Sequence, residues 1–201
     1  LDATALALRE EEWREFGLPG TAQDWGGWWG AMQAASRPEL AWEADFAAWL
    51  DSAWLSDLDA AQLADLGRAA LLPTLEDEDF AALGGHRECA ELGHEAGPLC
   101  ISTTPLRLVP RFRPYLLEAW RKQAPETVKM TLDRGFSRLL ARGRAVQAVW
   151  LLDAADPQQA EAAARQILAA AGWQLLFSRH RNLLKRALDV AAADTAHNLL
   201  S

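Results

Sequence analysis

Apolar residues along this chain come in short groups broken by charge, never in an uncharged run of the eighteen or more positions that a membrane-spanning helix needs. Within those groups Ala, Leu, Glu, Arg and Gln dominate, while strand-favouring residues are scarce, with five Val, two Ile and one Tyr. Trp42, Phe46 and Trp49 show the pattern, since their spacing puts all three on one helix face. Ser36-Arg37-Pro38-Glu39 and Ser56-Asp57-Leu58-Asp59 resemble capping boxes, and Asp156-Pro157 sets a capping carboxylate before a first-turn proline. These signals predict helices over 3–16, 22–35, 38–55, 57–71, 75–96 with a break at Gly84-Gly85, 113–123, 125–141, 144–155, 157–171 and 173–198.

The stretch from Gly97 to Pro114 interrupts the pattern. It holds Pro98, Pro105, Pro110 and Pro114 around the β-tolerant run Ile101-Ser102-Thr103-Thr104, and it is the one long candidate for irregular structure. No repeat of 30 to 45 residues is visible, which argues against a regular solenoid. The expected fold class is all-α: a single irregular helical domain of about nine to ten helices in two lobes. The acidic lobe is expected over 1–96, the proline-containing connection over 97–114 and the basic lobe over 115–201.

Composition changes this picture little, and charge changes it more. With 201 residues, 50% of them hydrophobic and 24% charged, the chain is long enough to bury a core without disulfides or a metal. Two cysteines are too few for a secreted disulfide framework, although Cys89 and Cys100 could pair, so a reducing compartment is favoured. No basic segment followed by an apolar one opens the sequence, and the expected location is cytoplasmic. The net charge of -8 conceals two opposite halves: residues 1–100 carry 5 Lys and Arg against 20 Asp and Glu, while residues 101–201 carry 15 against 8. Either the halves neutralise each other or each meets a different partner. Fifteen cations dispersed beside an acidic half make a poor phosphate-tracking surface, so nucleic acid is not an expected partner.

Ten tryptophans include seven before position 55, and the segment Asp24-Trp25-Gly26-Gly27-Trp28-Trp29-Gly30 sets bulky rings among glycines. Trp25, Trp28 and Trp29 are either packed between lobes or an exposed anchor for a partner, because Trp is enriched at binding hot spots. His86, Cys89, His94 and Cys100 fall within fifteen residues and carry the donor types zinc prefers, but their spacing fits no zinc-finger pattern. The simpler reading makes Cys89 a buried hydrophobe and the histidines packed or solvated, with no metal and no cofactor. Glu76-Asp77-Glu78-Asp79 is best placed in the first turn of a helix, where the macrodipole favours negative charge. Arg134, Arg138 and Arg142 are spaced by four along one helix face and continue to Arg144, as a solvated stripe or a docking face for an acidic partner. No G-x-S-x-G elbow, H-E-x-x-H pair or strand-loop-helix phosphate cradle is present, so an enzyme is not expected.

Residues 83–92, Leu83-Gly84-Gly85-His86-Arg87-Glu88-Cys89-Ala90-Glu91-Leu92, resemble a stretch in accessory proteins of the bacterial type III secretion sorting platform, the SctK family that includes OrgA and MxiK. The family pattern falls on Leu83, Gly84, His86, Arg87, Ala90, Glu91 and Leu92. The resemblance implies a cytoplasmic, non-enzymatic adaptor that joins the cytoplasmic domain of the inner-membrane ring protein to the pod carrying the export ATPase. Under that reading the two charged halves would steer two partners to different faces. The rival readings are an acidic immunity or chaperone-like protein that occupies one basic partner, and a zinc-binding helical protein using His86, Cys89, His94 and Cys100.

Overall fold

A computed structural model describes residues 55–177 and 180–197, together with Glu11 and Arg14. Among the described residues the chain forms eight α-helices and one two-stranded sheet: α1 (Ala60–Ala70), α2 (Asp77–Ala82), α3 (Cys89–Ala96), β1 (Cys100–Thr103), β2 (Leu106–Leu108), α4 (Arg113–Gln123), α5 (Pro125–Ala141), α6 (Ala145–Leu151), α7 (Pro157–Phe177) and α8 (Arg181–His197). The fold is therefore broadly all-α, with fewer helices described than the nine to ten expected. The helices expected over 3–16, 22–35 and 38–55 lie, apart from Glu11, Arg14 and Leu55, outside the described residues. So does the capping signal at Ser36.

The chain divides into two compact units, residues 1–77 with 87–123 and residues 78–86 with 124–201. This differs from an acidic lobe ending at 96 and a basic lobe starting at 115. The reason is that 97–114 folds as an integral piece of the first unit. Its β-tolerant residues pair as an antiparallel hairpin, Cys100 opposite Leu108 and Thr103 opposite Leu106, with a register irregularity between Cys100 and Ser102. Leu106 and Leu108 point inward and Arg107 outward, the two-residue alternation of a half-buried strand. Leu75 adds a bridge to Leu106 through two 2.9 Å backbone hydrogen bonds. Helix α3 lies close to the hairpin at Gly93, where a Cβ would come within 2.7 Å of Thr103 Cγ2.

In the same unit α1 packs on α4. The cap of α1 is Asp59 rather than Ser56: its Oδ1 accepts from the Ala61 and Gln62 amides at 2.8 Å, and Gln62 Oε1 accepts from the Asp59 amide at 2.9 Å. Asp59-x-x-Gln62 supplies both halves of a capping box, which explains why the helix starts three residues later than Ser56 suggests. At the other end of α1, Arg113 Nε donates to the Ala70 carbonyl at 2.9 Å, satisfying a terminal acceptor with a cation as the helix dipole favours. Burial lowers the pKa of that guanidinium from its ordinary value. Trp120 is fully buried against Gly67, and the Arg68 guanidinium lies 5.7 Å from its ring centroid.

The second unit is built on α5, whose buried Val128, Leu132, Phe136 and Leu139 form one apolar stripe. Two helix ends there close as Schellman motifs. At the end of α2 the Gly85 amide bonds the Phe80 carbonyl and the Gly84 amide bonds that of Ala81, with Gly84 at φ +86°. At the end of α5 the Arg144 amide bonds the Leu139 carbonyl and the Gly143 amide bonds that of Leu140, with Gly143 at φ +71°. The expected break at Gly84-Gly85 is thus a helix stop, and α2 and α3 are separate helices. Asp156 Oδ1 accepts from the Gln159 amide at 2.8 Å, so the Asp156-Pro157 start of α7 stands as expected. The expected break after residue 171 does not occur. Gly172 is accommodated inside α7, which runs to Phe177 because Ala171 and Leu175 continue its buried face without a shift.

Gly67→Ala would force a methyl to within 2.5 Å of Trp120 Cε3. We expect it to lower stability by about 1–3 kcal/mol in a urea titration, as overpacking does, whereas Gly172→Ala, where an added Cβ meets nothing within 4 Å, should leave stability unchanged or raised.

Candidate interaction surface

The histidines and cysteines are used separately. Cys89 is 4% exposed at the start of α3, its amide donating to Asp77 Oδ1 at 2.7 Å, while His86 and His94 face water. Cys100 is half-buried on β1, and its thiol donates to the Ser102 carbonyl at 3.0 Å. Burial raises the pKa of that thiol. Neither Cys89 nor Cys100 is in a disulfide, so the two do not pair with each other. Among the described residues no group of three or more His, Cys, Asp and Glu side chains is placed to hold a metal ion. His86, Cys89, His94 and Cys100 are therefore not brought together as a ligand set.

The acidic run 76–79 likewise divides its work. Asp77 caps the start of α3, and Asp79, only 2% exposed, forms an ion pair with Arg144 Nε at 3.4 Å. Arg144 also faces Glu78 at 3.6 Å. The arginine stripe of α5 runs along α2: Arg134 lies beside Gly84, Arg138 Nη1 donates to the Ala81 carbonyl and Arg142 Nη1 to the Glu78 carbonyl. The i, i+4 spacing that suggested a docking face thus lets successive arginines engage α2 within the same unit. Arg87 makes two 2.7 Å hydrogen bonds to Glu95, one to each oxygen, and this fork holds the Glu95 carboxyl below its ordinary range. Trp25, Trp28 and Trp29 lie outside the described residues.

What the sequence reading missed is on α7. Trp173 and Phe177 are 75% and 79% exposed, and their rings stack with centroids 5.8 Å apart and planes 9° apart. The buried face of α7 is formed by Ala160, Ala163, Ala164, Ile167, Ala171 and Leu175, and the helical period puts Trp173 on the opposite side. Leu176 and Leu188 are also exposed, so four of the five large exposed hydrophobics among the described residues fall between 173 and 188. The signal was available in the i, i+4 spacing of Trp173 and Phe177 on a helix whose other face is already apolar. Placing a helix end at residue 171 hid it.

No protein-family model, no curated protein and no solved structure matches this chain.

Three consequences are open to measurement. Asp79→Asn should cost about 1–3 kcal/mol in a urea titration, below the full cost of breaking a buried pair because Arg144 is partly exposed, and the Asp79→Asn/Arg144→Met double variant should cost less than the two single changes together. In the native protein at pH 8, Ellman's reagent should label Cys100 slowly and Cys89 hardly at all, with both reacting at once in guanidinium. The Arg87–Glu95 fork gives a pH signature. Because the Glu95 carboxyl is held low in the folded state, its contribution is present above the usual carboxylate range and lost as pH falls from there through the lowered folded value. The urea midpoints of wild type and Arg87→Met should therefore differ at pH 7 and converge only once pH has fallen below the ordinary carboxylate range.

Proposed function

We propose that this protein is a non-enzymatic adaptor of a bacterial type III secretion sorting platform, joining the cytoplasmic domain of the inner-membrane ring protein to the cytoplasmic pods. The observation that carries the binding part of this reading is the stacked, water-facing Trp173–Phe177 pair. Two aromatic rings with neighbouring exposed leucines form the kind of apolar patch that marks a protein interaction site. No helix among the described residues is long and apolar enough to cross a membrane, and the adaptor is proposed to work in the cytoplasm beside the membrane complex.

The assembly is assigned from the resemblance at residues 83–92, and the local structure supports treating that segment as a structural signature. Leu83 and Leu92 are buried, Gly84 supplies the left-handed turn that ends α2, and Arg87 is engaged by Glu95 and Glu91. Asp77, Asp79, Arg87 and Arg144 all serve as caps or ion pairs, which favours a scaffolding role over catalysis.

Native mass spectrometry of the untagged protein enriched from its host tests this reading. A complex with a ring or pod protein is the expected result, and recovery bound to one basic protein outside such an assembly would replace the adaptor with the neutralising binder. A bare monomer at every concentration would contradict both.

A further inference from the structure

We infer that the outward face of α7, anchored by Trp173 and Phe177, docks an acidic amphipathic helix of a partner protein. The inference deepens the adaptor reading by naming a partner chemistry, and rests on that reading only in treating the protein as a binder.

Charge selects the partner. Residues 173–188 contain Arg179, Arg181, Lys185 and Arg186 and no carboxylate, in a chain whose net charge is -8. Arg186 is engaged by Asp153 and lies 5.4 Å from the Trp150 ring centroid, whereas Arg181 and Lys185 are exposed on α8. Helices α7 and α8 pack on one another and lie only three positions apart in the sequence, so the first turns of α8 lie level with the last turns of α7. The exposed aromatic pair and the exposed Arg181 and Lys185 therefore occupy the same end of the helix pair. An apolar anchor at the same end of the helix pair as the exposed Arg181 and Lys185 complements a surface that combines apolar groups with nearby carboxylates.

Shape and total charge narrow the choice further. The outward line continues from Phe177 and Trp173 through Ala170, Ala169 and Gln166, all exposed, along a straight helix. From Gln166 to Phe177 it is about 16 Å long, which matches three turns of a partner helix laid alongside. A chain of net charge -8 is repelled by an extended anionic surface such as a lipid bilayer or nucleic acid, whereas one acidic helix presents only a few charges, opposite local cations.

The test is selection of a displayed library of 18-residue peptides on the full-length chain. Enriched sequences should place apolar residues at i, i+3 or i+4 and i+7 with Asp or Glu on either side, and a synthetic peptide of that kind should bind Trp173→Ser/Phe177→Ser at least tenfold more weakly. Both replaced side chains face water, so the helical circular dichroism should be unchanged. Arg181→Glu/Lys185→Glu should likewise weaken the acidic peptide and shift selection toward Lys- or Arg-flanked sequences. Failure to enrich, or binding indifferent to both variants, overturns the inference. Binding to phosphatidylglycerol vesicles that Trp173→Ser/Phe177→Ser abolishes would overturn it in favour of a membrane surface, and self-association abolished by the same variant would assign the face to a second copy. These outcomes do not depend on the secretion assembly: absence of ring and pod proteins from native complexes would remove the adaptor reading and leave the docking face standing.

Discussion

Asp79 is a carboxylate that water scarcely reaches, and the second unit depends on the cation that meets it. A buried charge without a partner costs several kcal/mol, so the chain must deliver Arg144 to that position every time it folds. The delivery is a backbone event. Helix α5 ends in the left-handed turn at Gly143, and the next residue is Arg144, whose amide closes the Schellman motif while its side chain turns to Asp79. On the other side, Gly84 ends α2 by the same device about one and a half turns beyond Glu78 and Asp79, and Gly85 gives room to the Phe80 ring, which a Cβ would approach to 2.5 Å. Arg138 and Arg142 then satisfy carbonyls of α2, so three arginines and one carboxylate fix that short helix to α5 and α6.

This arrangement explains part of the opposed charge of the two halves. Glu78 and Asp79 come from the acidic half and Arg138, Arg142 and Arg144 from the basic half, and they meet within one unit. Other acidic residues find cations close by in sequence, as in Asp65 with Arg68 and Glu95 with Arg87. Of the α5 stripe, Arg138 and Arg142 are taken up by backbone carbonyls of α2, whereas residues 173–188 hold four cations and no carboxylate before Asp189.

Helix type and most boundaries were legible because they are local. The capping carboxylate of Asp156, the proline at 125 and the glycines at 84 and 143 act on the residues beside them, and the expected spans 113–123 and 125–141 match α4 and α5. The hairpin was only half legible: Ile101-Ser102-Thr103-Thr104 signals extended backbone, but its pairing depends on Leu75, Leu108 and the close approach of Gly93, which no local pattern specifies. The destination of the acidic run and of the arginine stripe was not legible, since contacts between residues 79 and 144 or 78 and 142 are set by tertiary packing. The exposed aromatic pair was obscured by Gly172, a residue read as a helix end that the packing of Ala171 and Leu175 carries through.

Among the described residues, four of the five large exposed hydrophobics gather at the aromatic and cationic end of the α7–α8 pair, the surface proposed for recognition. The most direct measurement is the solvent accessibility of individual indole N–H groups, read by nuclear magnetic resonance with a soluble paramagnetic probe and assigned with Trp173→Phe and Trp120→Phe. The structure predicts strong broadening of the Trp173 indole and none for Trp120, which is fully buried. A Trp173 indole as protected as that of Trp120 would mean that this face is already covered within the free protein, and would contradict the account.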